Sequence, residues 1–452
     1  MQRRNFFKLV GAASAVAMLP KLSYGAPATA KVVVVGGGLG GAAVAKYLRA
    51  WRGSDNIMVT LVTPAASYVS CIQSNLVVTG AIPASRITRD YGTLSSSRYN
   101  VTIQHGLVTS IDPALRRVYI NDSSSYLDYD YLVLAPGVKF SPYDGDPYWP
   151  DSISGPNPPK LSYWQGDRAS ALETKLDAMV DREIFVMYIP SGPIKGGQAP
   201  YGRACAVADK LWSTSRRNCT VKVLDGHVPV APATSPLPSQ FVAAFASFDN
   251  IEYHHSVTLN PVNGVNLTAK LLNTSMGSIH FDVANVIPPQ RANLDFAPAL
   301  LAGHSFAPVN PQTFQSTVVG YDRVYIIGDA QGTPNLPKSG NIAADQAKIC
   351  ASAITRRIAG LTNHPLETSL AVSAVQFNAI RSTPGHLAAV YAHAGYQWNA
   401  AAHDATHPFN GWMPSSSYPD AGVSASGAVP ASSKNYSQGL TWVQTLLDDC
   451  FI

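Results

Sequence analysis

Residues 31–46, KVVVVGGGLGGAAVAK, constrain this chain more than any other stretch. Four consecutive valines, 32–35, predict a strand buried on both faces, as in a parallel sheet. Gly36, Gly38 and Gly41 follow as G-x-G-x-x-G, and an Ala-rich helix starts at once. In that setting the first glycine allows a tight turn. The second lets the backbone approach a pyrophosphate, and the third lets helix and strand pack closely. The helix start offers free N–H groups and the positive end of its dipole to the phosphates. The pattern predicts a dinucleotide site; the bland alternative is a Gly-rich turn.

The 452 residues are enough for two or three domains. Hydrophobic residues make up 46% and charged residues 13%, which describes a globular chain with a lightly charged surface. The formal charge is +5, but Arg3, Arg4, Lys8 and Lys21 fall in the first thirty residues. The remainder carries about +1, which argues against a nucleic-acid partner. Residues 1–30 read as a leader: Arg3-Arg4, then Asn5-Phe6-Phe7-Lys8, an apolar run over 9–20, and small residues for cleavage after Ala26 or Ala30. This twin-arginine pattern predicts export of a folded, cofactor-loaded protein to the periplasm. No other apolar run reaches spanning length, so no transmembrane segment is expected. The five cysteines, Cys71, Cys205, Cys219, Cys350 and Cys450, form no C-x-x-C or haem-attachment motif. An odd count in an oxidising compartment leaves at least one sulfur outside any intrachain disulfide.

Residues 56–62 read as the second strand of the first unit. Such a strand usually ends in an acid that holds the adenosine ribose; here Thr63 stands there, a weaker hydroxyl partner. Residues 100–121 alternate as sheet. Residues 129–137, YDYLVLAPG, form an apolar strand ending in a turn with Ala135 and Gly137. A Pro/Gly/Asp-rich loop, 138–160, marks a boundary. A helix over 167–181, a strand over 183–189, a loop over 190–202, a helix over 203–213 and a strand over 220–224 make a second β-α-β unit. Its turn is not G-x-G-x-x-G, so it is a poor pyrophosphate cradle for NAD(P)H. A strand within 281–292 ends in a Pro-Pro turn. Another, 324–330, ends in Gly328-Asp329, with a helix beginning near Ser339. From 363 the pattern is mixed, with a loop over 405–435 and a last helix over 437–448.

The G-x-G-x-x-G, YLVLAPG and YIIGDA blocks together resemble the glutathione-reductase-like FAD fold. The resemblance implies an α/β class with two Rossmann-like dinucleotide-binding domains and a C-terminal α+β interface domain. The expected division is the leader 1–30, an FAD-binding domain over 31–150 and 286–362, a degenerate NAD-type domain over 151–285, and a C-terminal domain over 363–452. In such folds Gly328-Asp329 is the second fingerprint: the Asp accepts from the ribityl chain, and the next helix aims its N-terminus at the flavin. Asp329 also fits a plain strand-end capping role.

Four further blocks carry a closer resemblance: Tyr68-x-x-Cys71-x-x-Ser74-Asn75, Pro200-Tyr201-x-Arg203-Ala204, Ile287-Pro288-Pro289-Gln290-Arg291-Ala292 and Leu336-Pro337-Lys338-Ser339-Gly340. With these the chain resembles the flavoprotein subunit of flavocytochrome c sulfide dehydrogenase, related to sulfide:quinone reductase. In that family the cysteine of the first block is bonded to the 8α-methyl of FAD, so the resemblance implies an 8α-S-cysteinyl link at Cys71. The alternative for Cys71 is a small buried residue. The resemblance further implies that Pro337-Lys338 lies near the flavin's N1–C2 edge with the next helix's N-terminus, where positive charge stabilises an anionic reduced flavin, and that Ser339 also binds the cofactor; the alternative for Lys338 is a solvated loop lysine. It places Gln290 and Arg291 along the isoalloxazine ring, and Trp164 near it, although Trp164 fits a core role equally. The implied activity is an FAD-dependent dehydrogenase oxidising sulfide or another small reductant. Electrons would pass to a c-type cytochrome subunit in a heterodimer.

One departure matters. Sulfide-oxidising members of the family carry a redox-active disulfide beside the flavin. One of its positions corresponds to Gly196, and the other falls at Ser369, in a loosely matching segment. Sulfide attacks such a disulfide, and the released thiolate reduces the flavin. Cys205 and Cys350 sit in helix patterns with apolar neighbours and read as packing residues. The loss leaves room for a different reductant, or for a flavin-bearing electron-transfer or assembly subunit without turnover.

Overall fold

The computed structural model describes residues 29–52, 57–140, 161–229, 235–261, 263–333, 336–361, 371–399, 412–414 and 426–452. The leader with Arg3-Arg4, most of the 138–160 loop and Ser369 lie outside the described residues.

In chain order the principal elements begin with β1 (Ala30–Val35), α1 (Leu39–Arg52), β2 (Ile57–Thr63), β3 (Thr102–His105) and β4 (Tyr131–Leu134). There follow β5 (Ile184–Ile189), α2 (Ala199–Ser213), β6 (Thr220–Asp225), β7 (Ile251–His254) and β8 (Val283–Val286). The last are β9 (Val324–Ile326), α3 (Gly340–Ile358), β10 (Ala371–Arg381), β11 (Ala388–Trp398), β12 (Ser426–Ser432) and α4 (Ser433–Phe451).

The first sheet has the order β9-β4-β1-β2-β3, all parallel. β1 lies in its middle, paired on both edges, and Val32–Val35 are buried. This is why four valines run without alternation: both faces are covered, and each buried valine contributes about 1.5 kcal/mol or more. α1 buries Leu39, Val44 and Leu48 together with Ala42, Ala43 and Ala45, and it packs on α3. A Cβ on Gly41 would overlap the Gly36 carbonyl oxygen, so the third glycine permits the close approach of loop and helix.

The chain leaves this sheet after β4 and returns to it with β9. Between them lies a second parallel sheet, β7-β6-β5-β8. The two parallel layers make the protein an α/β fold of the two-dinucleotide-binding type. Several elements differ in detail from the sequence expectation. Within 100–121 only β3 joins the main sheet. Val108–Asp112 and Arg117–Ile120 instead form a separate antiparallel ribbon with Tyr126–Asp128. The 167–181 helix is a 3-10 turn, Gly166–Arg168, followed by Ala169–Asp177. α2 begins at Ala199 and not at 203, because Pro200 occupies the first turn, where a missing N–H costs nothing.

The C-terminal part is the larger correction. β10 and β11 are paired antiparallel strands of 11 residues each. The 405–435 stretch, expected as loop, contains β12 and a short strand, Trp412–Pro414, both on β11. Their backbone groups find partners on β11, a tertiary effect that a Pro-, Ser- and Gly-rich composition conceals. α4 starts earlier than expected, with the Ser432 hydroxyl accepting from the Asn435 N–H at 3.1 Å as its N-cap. Its last turn returns to the first sheet's side, where Phe451 stacks on Tyr68 with ring centroids 5.5 Å apart.

Candidate active site

The C-terminal ends of β1, β2, β4 and β9 open on one cavity of about 580 Å³, the crevice position at which open α/β sheets bind ligands. Gly36 and Gly38 line it from the β1 turn, Thr63 from the end of β2, Ala135 and Gly137 from the end of β4. A Cβ on Gly38 would meet nothing closer than a Tyr68 ring carbon at 3.7 Å, so the second glycine leaves its backbone bare to the cavity. Gly37, an unspecified position of the motif, is constrained as well. Tyr91 donates its hydroxyl to the Gly37 carbonyl at 3.0 Å, and a Cβ there would overlap that hydroxyl. Tyr91 was not legible as a site residue.

From the opposite side comes the 3-10 turn Gly328–Ala330, pinned by Gly328 N–H donating to Gln346 Oε1 at 2.7 Å. Asp329 faces the cavity. Burial pushes its carboxyl above the usual carboxylate range, and Lys338 and Lys195 oppose that shift. Lys338 is buried, and burial lowers its ammonium to about 8 against the pull of Asp329. Its Nζ donates to the Gln331 carbonyl at 2.5 Å and lies 3.9 Å from the Phe306 ring centroid. Ser339 lines the cavity as the N-cap residue of α3, but its side chain makes no capping bond. The first-turn N–H groups of α3 are thus left without that side-chain partner, the arrangement suited to an anionic or electron-rich ligand.

Cys71 lies on the third wall, in a loop held at several points. Gln73 adopts a left-handed φ of 66°, and its amide donates to the Gly439 carbonyl of α4 at 2.7 Å. Asn75 donates to the Ala199 carbonyl at 2.9 Å. The buried Arg203 of α2 donates to Asn75 Oδ1 at 2.8 Å, Ser74 Oγ at 3.2 Å, Asn285 Oδ1 at 3.0 Å and the Tyr163 carbonyl at 2.7 Å. Burial lowers its guanidinium to about 9, which leaves it charged at neutral pH. Trp164 lines the cavity with its ring 4.5 Å from that guanidinium, and its Nε1 donates to the Lys195 carbonyl at 3.0 Å.

Gly41 acts in the packing of α1 and does not line the cavity. Two expected contacts fall elsewhere. Gln290 is buried behind the wall, where its Oε1 accepts from the Lys195 N–H at 2.9 Å. Arg291 pairs with the exposed Asp295 at 2.5 Å, on β-ribbon Gln290–Ala292 against Val138–Phe140. The ribbon alternates sides, so the two neighbours cannot both face inward. Reasoning from sequence missed Lys195, Gln376 and Asn378, which all line the cavity. Lys195 had a signal, as the immediate neighbour of Gly196. The other two sit on β10, a strand with no clear period.

Gly196 lines the cavity at φ +84°, with its N–H donating to the Lys338 carbonyl at 2.9 Å. All five cysteines are unpaired, and only Cys71 is other than buried. Burial raises the thiols of Cys205, Cys350 and Cys450 far above the ordinary range, as packing residues require. In the second sheet the carboxylate at the end of β6, Asp225, is fully buried. It accepts from Tyr201 and Tyr253 hydroxyls at 2.8 Å each and from His227 at 2.7 Å. The acid in the ribose-type position is therefore committed inside the protein.

Residues 30–160 match the pyridine nucleotide-disulphide oxidoreductase family. Residues 169–288 match the family described as sulfide dehydrogenase (flavocytochrome c) flavoprotein chain, central. The sulfide dehydrogenase (flavocytochrome c) flavoprotein chain of Chlorobaculum thiosulfatiphilum is 55% identical over 49 residues, 11% of this chain and 98% of that one. The chain belongs to the flavocytochrome c sulfide dehydrogenase flavoprotein family. Among solved structures, the sulfide:quinone oxidoreductase of the hyperthermophilic bacterium Aquifex aeolicus shares its fold. The TM-score is 0.69 at 16% identity over 94% of this chain and 92% of that chain. Putidaredoxin reductase in its covalent complex with putidaredoxin matches with a TM-score of 0.57 at 18% identity, covering 83% of each chain. As a member of this flavoprotein family the chain is an FAD-dependent oxidoreductase. The cavity fits that cofactor: a bare Gly38 backbone, the Asp329 carboxylate and the start of α3 converge on one space.

Proposed function

We propose that this flavoprotein is an exported, periplasmic dehydrogenase whose FAD is bonded through its 8α carbon to Cys71. It oxidises sulfide or another small reductant and passes the electrons to a c-type cytochrome in a heterodimer. The observation that carries the reading is that Cys71, Gly38 and Asp329 line a single cavity, and that Cys71 alone of the five sulfurs is open to it.

Bound FAD supplies an acceptor that takes two electrons and releases them singly. The chain's own residues do the rest. The turn at Gly36–Gly38 and the α1 start would hold the pyrophosphate, and Asp329 would accept from the ribityl chain. Lys338 and the α3 dipole would supply positive charge to the reduced ring system. Trp164, seated on Arg203, closes the wall against water. With glycine at 196 and the other four thiols buried, the described cavity offers no cysteine pair to carry the reductant's sulfur. The cytochrome partner and the compartment rest on the family likeness and on the Arg3-Arg4 leader.

Two measurements test this. Acid-precipitated protein should stay yellow, with an FAD-sized mass increase on the Cys71 peptide. In an anaerobic titration sulfide should bleach the flavin, and added cytochrome c should restore it. Flavin that resists sulfide yet yields to dithionite would remove sulfide as the reductant. Gly196 favours a second reading, an electron-transfer or assembly subunit without turnover. Steady-state turnover above that of free FAD with any donor–acceptor pair excludes it.

A further inference from the structure

We infer that Tyr91 is a positioning residue for the cofactor's pyrophosphate: by holding the Gly37 carbonyl, its hydroxyl turns the Gly38 N–H toward the cavity. This rests on the reading of Gly36–Gly38 as the pyrophosphate turn and adds the side chain that sets the orientation of its central peptide.

The turn holds three consecutive glycines, Gly36-Gly37-Gly38. Its two ends are fixed by the main chain. The Gly36 N–H donates to the Val62 carbonyl of β2 at 2.9 Å, and the Gly38 carbonyl accepts from the Ala42 N–H of α1 at 2.9 Å. Between them lies the Gly37–Gly38 peptide. With no Cβ on either side, that peptide rotates as a unit at little steric cost. A side chain from elsewhere in the chain must therefore choose its orientation.

Tyr91 does so by donating its hydroxyl to the Gly37 carbonyl at 3.0 Å. The peptide is trans, so the Gly37 carbonyl and the Gly38 N–H point in opposite directions. The N–H is aimed away from Tyr91. Among the described residues it donates to no acceptor, and Gly38 lines the cavity. An N–H left open on a cavity wall, one residue before a helix start, is a donor available to an anion. The flipped peptide would present the Gly37 carbonyl instead, whose oxygen repels a phosphate.

The surroundings of Tyr91 suit this task. It is buried, its own carbonyl accepts from the Ser95 N–H at 3.0 Å, and its ring is tilted against Phe451 with centroids 6.0 Å apart. A Cβ on Gly37 would overlap the hydroxyl and come within 2.8 Å of Thr63 Oγ1. Residue 37 is glycine, at a position that G-x-G-x-x-G leaves open, because the Tyr91 hydroxyl needs that space.

The test uses the full chain carrying Cys71→Ser, so that flavin binds reversibly, and purified free of flavin. Dissociation constants for FAD and for riboflavin are read from flavin fluorescence, and the bound pyrophosphate from phosphorus NMR. Riboflavin has no phosphate and reports on the ring and ribityl contacts alone. Tyr91→Phe keeps the ring and removes only the donor. Added to the parent, it should weaken FAD binding about tenfold, the loss of one hydrogen bond. It should leave riboflavin affinity unchanged and shift the phosphorus resonances of bound FAD. FAD affinity equal to that of the parent overturns the inference. A parallel loss for riboflavin also overturns it, making Tyr91 a packing residue of the whole cavity. Weaker FAD binding with unmoved phosphorus resonances overturns it too, by placing the effect at the adenosine. A parent that binds FAD no more tightly than riboflavin defeats the pyrophosphate reading of the turn, and the inference with it.

Discussion

Arg203 Nε donates to Asn75 Oδ1 at 2.8 Å although 128 positions separate the two residues. The contact joins the Cys71 loop to α2, and the same guanidinium also holds Ser74, Asn285 and the Tyr163 carbonyl. Replacement by methionine keeps the volume but leaves these buried acceptors without a donor. Arg203→Met should therefore cost about 3 kcal/mol or more of stability, read as a lower urea midpoint, and should reduce FAD retention on gel filtration.

At Gly196 the backbone sits at φ +84°, and a Cβ there would have Ala199 and Trp164 in ordinary contact at 3.6 Å. The obstacle to a side chain is conformational, not steric crowding. Gly196→Ala should lower stability by about 1–2 kcal/mol without loss of bound flavin, measured by urea unfolding of the loaded protein. A cysteine at this position would carry the same cost.

Lys338 titrates near pH 8 in the folded chain because burial disfavours its charge. Between about pH 8 and the ordinary lysine value the unfolded chain binds more protons at this residue than the folded one. Stability of the flavin-free chain therefore rises with pH across that window. The Lys338→Met variant should lose this rise, a difference visible in urea midpoints between pH 7.5 and 10 taken as a rough span.

Phe451 is buried at the end of α4, stacked on Tyr68 and tilted against Tyr91 at 6.0 Å. Both tyrosines back the cofactor cradle. Phe451→Ala should destabilise the protein by about 3–5 kcal/mol. It should also weaken flavin retention more than a cavity of equal size in the second sheet, such as Phe185→Ala.

Some of this architecture follows from local rules that any reader of the chain can apply. The run of valines, the glycine spacing and the helix after them are set by burial on both strand faces and by contacts only a few residues apart. Gly328-Asp329 is legible for the same reason: an apolar strand must stop, and the residues at its end face the crevice. Ser433–Phe451 is visible through its own periodicity, though not its first turn.

What the fold alone decides is which distant residues share a surface. The Cys71 and Arg203 blocks look like separate motifs along the chain, yet they are two halves of one buried hydrogen-bond network. Lys195 is an ordinary loop lysine until Gln290 and Trp164 fix its backbone on the cavity wall. β10 hides its strand character because both of its faces are covered, and β12 because its partner is β11. Arg291, adjacent to Gln290, turns outward on a ribbon whose side chains alternate. Local propensity and spacing act within a few residues, whereas side-chain hydrogen bonds and sheet pairing depend on closing long loops, and no short stretch of sequence encodes which loops close.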